Sequence, residues 1–166
     1  MHSDPAPETE QLLRSLQSSR DHVISQVEAM AEADRHVVHV PSDWSPLGLV
    51  RHLTLSDERY WFEVVVAGGS LDYWPDGDRG DWQVPAGMTG PAVLDEYRAA
   101  CAATDAIIRS VSLDAPPKRP EPEWESSGAF ADVRTILLHH LVETSIHAGQ
   151  LDVARELADG GQHLVL

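Results

Sequence analysis

The sequence predicts an all-α protein built as a single four-helix bundle. Three observations carry that expectation. Four segments repeat apolar residues at spacings of three and four, the connections between them are dense in Pro, Gly and Asp, and no stretch alternates apolar and polar residues as a strand does. One domain over residues 1–166 is expected, because a chain of 166 residues buries a core without disulfide or metal staples.

The first helix is expected over Thr9 to Ala33, where Leu12, Leu16, Val23, Val27 and Met30 form one apolar stripe. The second opens at Ser45-Pro46, a capping residue followed by the residue best suited to the first helical position. Leu49, Leu53, Tyr60, Trp61, Val64 and Val65 carry its apolar side until Gly68-Gly69 stops it. Ser70 to Met88 is too long for a simple turn and reads as an ordered loop or lid. Gly90-Pro91 starts the third helix, whose seam is Leu94, Tyr97, Cys101, Thr104, Ile108 and Val111, so Cys101 is expected as a small buried hydrophobe. A Pro-rich linker from Ser112 to Phe130 leads to a fourth helix over Asp132 to Asp159, stopped by Gly160-Gly161. Two long connections leave the bundle topology open.

Composition removes several function classes. The net charge is −15 and Lys118 is the only lysine among 12 basic residues, so neither nucleic acid nor an anionic membrane is an expected partner. No apolar run reaches the length of a membrane span. The polar start from Met1 to Glu8, with Pro5 and Pro7, lacks the pattern of a signal peptide, which places the expected location in the cytoplasm. Cys101 is the only cysteine, so no internal disulfide and no multi-cysteine zinc site can form. Any bound metal must be held mainly by nitrogen and oxygen.

The fourth helix carries the specific signal. Its seam reads Val133, Leu137, His140, Thr144, His147, Leu151, Ala154: apolar at both ends and polar in the middle. Glu143 lies beside the seam, four residues before His147, so the two side chains can converge on one point. A carboxylate buried there is costly unless its charge is compensated, by protonated imidazoles or a shared cation. Glu-x-x-x-His supplies two metal ligands, and a bundle can place a third opposite; His52, beside Leu49 and Leu53, is the donor at hand. The alternative is an i,i+4 surface pair or a hydrogen-bonded core histidine. His140 shares the face and competes with Glu143 as ligand or as support to one. His139 is one step off the seam, His22, His36 and His39 have no spacing partner, and His2 and His163 lie in the tails.

The run His140-Leu-Val-Glu143-Thr-Ser-Ile-His147-Ala-Gly149-Gln150-Leu-Asp152-Val-Ala-Arg155-Glu156-Leu-Ala-Asp159-Gly160 resembles the last-helix signature of the DinB-like superfamily. It is similar to the actinobacterial branch related to mycothiol-dependent maleylpyruvate isomerase. Pro46-Leu-Gly-Leu-Val-Arg-His52-Leu, followed by Glu58-Arg-Tyr-Trp61-Phe62, resembles the second-helix signature. The resemblance implies a DinB-like four-helix bundle with a divalent metal ion, zinc first and nickel or iron as alternatives, on His52, Glu143 and His147. Gln150 stands where many relatives carry a further histidine.

Glu at the first position of the pair implies a thiol transferase or isomerase, with mycothiol as co-substrate attacking a small electrophile. Three protein ligands leave a fourth position open for the thiol. The loop from Ser70 to Met88, through Tyr73, Trp74 and Trp82, is then expected to line or cover the site. A thiol-independent metal hydrolase and a non-catalytic, stress-related metal-binding bundle are the other readings. The resemblance also allows a homodimer.

Overall fold

A computed structural model describes residues 7–121 and 128–163. The elements in chain order are α1 (Pro7–Ala29), a short α2 (Glu32–Arg35), α3 (Pro46–His52), a π-helical continuation of α3 (Leu53–Val66), a 3-10 turn (Gly80–Trp82), α4 (Gly90–Ser110) and α5 (Val133–Asp159). No strand occurs among the described residues. The four long helices form the expected bundle, and the chain is all-α.

Local chemistry sets the helix ends. Ser45 Oγ accepts from Gly48 N at 3.1 Å with Pro46 at the first position, as the sequence predicts. Asp132 and Thr135 form a reciprocal capping box at the start of α5, and Gly160 closes it in the left-handed region, φ 74°. The first helix is shorter than expected, ending at Ala29 and not Ala33. Arg35, on the following short α2, donates to the carbonyls of Glu28 and Met30 at 3.1 Å each and satisfies the free end of α1.

α1 packs chiefly on α5, and the π segment chiefly on α4; α5 also packs on α3 and the π segment, and α1 touches α4. Among the long helices, α1 and α3 are therefore diagonal partners, as are α4 and α5. Only the loop after Gly69 joins neighbours, while the α1–α3 and α4–α5 connections cross the bundle. The part of the latter linker over 122–127 lies outside the described residues.

The π winding decides which side chains face inward. Buried pairs recur every fourth residue, at Leu53/Thr54, Asp57/Glu58, Trp61/Phe62 and Val65/Val66. That repeat is longer than the 3.6 residues of an α-helix, and wider i→i+5 bonds such as Ala67 N to Phe62 O, 2.9 Å, accompany it. As a result Asp57 and Glu58 both enter the core.

The interior is two apolar clusters separated by a polar layer. One cluster includes Val23, Val27, Leu49, Leu53, Leu94 and Leu151; the other includes Leu13, Leu16, Phe62, Ile108, Ile136 and Leu137. Between them Arg20 and Glu58, both without solvent exposure, form a two-pronged ion pair with Nε–Oε1 2.7 Å and Nη2–Oε2 2.6 Å. Arg20 Nη1 reaches Asp105 at 2.7 Å, Cys101 Sγ lies 3.5 Å from Glu58 Oε1, and Thr104 donates to the Glu58 carbonyl at 3.2 Å. His140 Nε2 stands 3.2 Å from Glu58 Oε1, an ion-pair distance, although neither ring nitrogen makes a well-aligned hydrogen bond.

Burial alone would raise the Glu58 pKa, but the charge of His140 and the charge and hydrogen bonds of Arg20 outweigh it and hold the carboxyl well below the ordinary glutamate range. Burial likewise works against the Arg20 charge, and Glu58 more than offsets it.

Removing one partner strands the other charge in the core. Glu58→Gln is therefore expected to cost about 3–5 kcal/mol in urea unfolding at neutral pH. The pH sign follows from the depressed folded value. The stabilisation from Glu58 is complete above the unfolded value of 4.5 and is lost as pH falls below it. Acid unfolding of the Glu58→Gln variant should consequently fall off less steeply than that of the native chain; equal slopes would contradict the coupling.

Candidate functional site

His52 is the last residue of α3, where the winding changes, and His147 lies just past the middle of α5. The bundle brings them together: their rings meet edge to face with centroids 5.2 Å apart. Each ring is held by its Nδ1. His52 Nδ1 lies 2.6 Å from Asp81 Oδ2, and His147 Nδ1 lies 2.9 Å from Gln150 Oε1. With an acceptor oxygen on each Nδ1, each ring donates its Nδ1–H there and leaves its Nε2 lone pair free. Burial holds the His147 pKa below the ordinary histidine value, so its imidazole is neutral at pH 7.

The loop arrives through a glycine. A Cβ on Gly48 would stand 2.6 Å from the Trp82 carbonyl oxygen, so only glycine lets the 3-10 turn come this close to α3. The same approach stacks Trp82 on His52, with centroids 4.1 Å apart and planes 14° from parallel, and places it 5.9 Å from His147. Of the three loop aromatics expected at the site, Trp82 is there and the other two pack elsewhere. Tyr73 lies under the Arg59 guanidinium, 3.6 Å from its centroid, and Trp74 packs on Tyr60.

Glu143 stands apart from the two rings. Its carboxylate comes no nearer to His147 Nε2 than 4.0 Å, and its side chain is 36% exposed. His140 is one turn deeper, buried against Glu58 and Phe62 in the polar layer and not at the His52–His147 pair. His139 packs on Trp61 and Phe130. His22, which has no spacing partner in the sequence, finds a partner on another helix: its Nε2 is 2.7 Å from Asp152 Oδ1.

Two carboxylates at the site escape a reading by α-helical period. Asp81 sits in an irregular loop, where no pattern marks it. Asp57 faces inward because of the π winding. It is buried, its Oδ2 has no hydrogen-bond partner, and burial raises its pKa while the nearby His140, His52 and His147 work the other way.

The donor chemistry fits a divalent cation that prefers nitrogen and oxygen: two imidazole Nε2 atoms, an exposed carboxylate free to turn, and an unpartnered buried carboxylate oxygen. As the side chains stand, no group of three His, Cys, Asp or Glu among the described residues is arranged to hold one.

Gly48→Ala tests how the site is assembled. It should displace the Trp82 turn and cost about 1–3 kcal/mol, the usual penalty for overpacking, with loss of the His52 Nδ1–H signal in nitrogen-15 NMR. Unchanged stability and an unchanged signal would show that the loop does not depend on this approach.

The sequence model of one protein family, described as Mycothiol-S-transferase, matches residues 11–160 of the chain. No curated protein matches it.

Proposed function

The chain belongs to the mycothiol-S-transferase family, and we propose that it joins the thiol of mycothiol to a small electrophile at a divalent-metal centre formed by His52, Glu143 and His147. The observation that supports this most directly is the pair of facing imidazoles, each fixed at Nδ1 and free at Nε2. A divalent cation held there, zinc by preference and nickel or iron as alternatives, supplies positive charge that favours the thiolate of a bound thiol at neutral pH.

The remaining work falls to the chain. Asp81 accepts the Nδ1–H of His52, which fixes the tautomer and aims Nε2 into the site. Gln150 does the same for His147. Trp82 covers the His52 face and limits water there. In the reaction the thiol gives its proton to solvent and its sulfur forms a bond to the electrophilic carbon. The displaced electron pair leaves with a departing group or, in an addition, moves onto the acceptor that activates that carbon. The isomerase variant of the same chemistry ends with the sulfur leaving again.

The protein's own thiol does not suit this role. Cys101 is buried, and burial together with Glu58 pushes its pKa up, so it stays protonated. A small-molecule thiol fits where the resident cysteine does not. On this reading the partners are mycothiol, an electrophilic small molecule and a second copy of the chain, in the cytoplasm. No described helix is long and apolar enough to cross a membrane.

The test is conjugate formation, followed by mass spectrometry, across a panel of electrophiles with and without mycothiol. Conjugates should form only with the thiol present, Asp81→Ala should lower kcat/KM about 10–100-fold, and His147→Ala should abolish turnover. Turnover indifferent to thiol would replace this reading with a water-using hydrolase. No turnover of any electrophile would leave a non-catalytic metal-binding bundle.

A further inference from the structure

Among the described residues two that are not glycine hold a left-handed backbone, Asp43 at φ 61° and Arg79 at φ 57°, and they touch. Arg79 Nη2 donates to the carbonyls of Asp43 at 3.3 Å and Ser42 at 3.4 Å. Aspartate tolerates that region. Arginine has no short polar side chain to favour it, so its surroundings must hold Arg79 there. The conformation turns the chain. Arg79 caps the 3-10 turn and accepts from Trp82 N at 3.0 Å, and that turn delivers Asp81 to His52 Nδ1 and Trp82 to the face of the same ring.

The Arg79 side chain ties this turn to the connection between α2 and α3. Its guanidinium lies over the Trp82 ring, 5.7 Å from the centroid and within cation–π range. Trp44, the neighbour of Asp43, packs against the same ring with centroids 6.4 Å apart. Trp82 is thus held from the 42–44 connection as well as from His52. Both Arg79 bonds come from one nitrogen and both are long for N–H···O, so the hold is one that opens. Opening is needed, because the side chains of His52 and His147 are only 16% and 11% exposed with the turn in place. Gly77, φ 92°, and Gly87, φ 82°, flank the segment. Neither has a neighbour within 4 Å of where a Cβ would stand, which suits them as its hinges.

We propose that Arg79 is a positioning residue that latches the Asp81–Trp82 turn onto His52, and that its release lets the segment between Gly77 and Gly87 swing clear of the site. Latched, the turn keeps Asp81 on the Nδ1–H of His52 and leaves Nε2 free. Released, the ring loses both its acceptor and its Trp82 cover, and small molecules gain access. Arg79 touches no reacting group and acts only through Asp81 and Trp82. Gly48 permits the close approach from the helix side, and Arg79, which is exposed, holds it from the solvent side. What the latch admits rests on the proposed thiol chemistry, whereas the latch itself does not.

Hydrogen exchange of the full chain reads the latch at the Trp82 and Gln83 amides, whose bonds close the turn. Arg79→Ala should speed both about tenfold or more and abolish the His52 Nδ1–H signal in nitrogen-15 NMR. Amides in α5 and the melting curve should stay native, since Arg79 is exposed. Arg79→Gly separates backbone from side chain: it adopts the left-handed turn freely but carries no donor, so it should behave as Arg79→Ala does. Arg79→Lys keeps a cationic donor for the two carbonyls and should recover most of the native protection. Native protection in Arg79→Ala overturns the proposal. Native protection in Arg79→Gly, or exchange in Arg79→Lys as fast as in Arg79→Ala, overturns the role of the side chain. A native chain that conjugates no electrophile removes the proposed chemistry and leaves these exchange results standing.

Discussion

Two full charges with no access to water, Arg20 and Glu58, set the terms for the rest of the bundle. An ion pair in a low-dielectric interior is tolerable only if its remaining donors and acceptors are met nearby. Here Asp105 and Cys101 from α4 meet them, His140 from α5 stands at ion-pair distance, and Thr104 from α4 holds the Glu58 carbonyl. α1, the π segment, α4 and α5 are thus pinned at one level, with an apolar cluster above and another below. Sliding any helix by a residue would leave a charge unpaired, so the layer fixes register where apolar packing alone would allow drift.

Asp57, the inward neighbour of Glu58, carries that register towards the candidate site. Burial raises the pKa of its carboxyl, and the charges of His140, His52 and His147 work against that rise. The site itself is assembled from two sources of unequal stiffness. His52 and His147 come from long packed helices, whereas Asp81 and Trp82 come from a loop admitted by Gly48. A pair of histidines on packed helices with a loop-borne orienting carboxylate separates a stiff part of the candidate site from an adaptable one.

Much of this was legible in the sequence, and the omissions have specific physical causes. The seam of α5 from Val133 to Ala154 is buried residue by residue as the three-four alternation predicts, and Cys101 is buried as expected. In the first helix the apolar stripe skips six residues between Leu16 and Val23, and Arg20 fills that gap at full burial. A pattern built on hydrophobicity passes over a buried charge. Asp57 was hidden by the assumption of an α-helical period where the chain winds as a π-helix, and Asp81 by its place in an irregular loop. Periodicity put His140, Glu143 and His147 on one side of α5 without ranking them. The depth of the bundle separates them, taking His140 into the polar layer and leaving Glu143 at the rim.

The central claim is that His52 and His147 are placed to share one divalent cation with a carboxylate. Isothermal titration of zinc into metal-stripped protein tests it most directly. The account predicts one equivalent bound by the native chain, with that binding lost in both His52→Ala and His147→Ala and kept in a control at His36, whose ring faces Glu32 on the short α2. No zinc bound by the native chain, or equal binding by the two alanine variants, would contradict it.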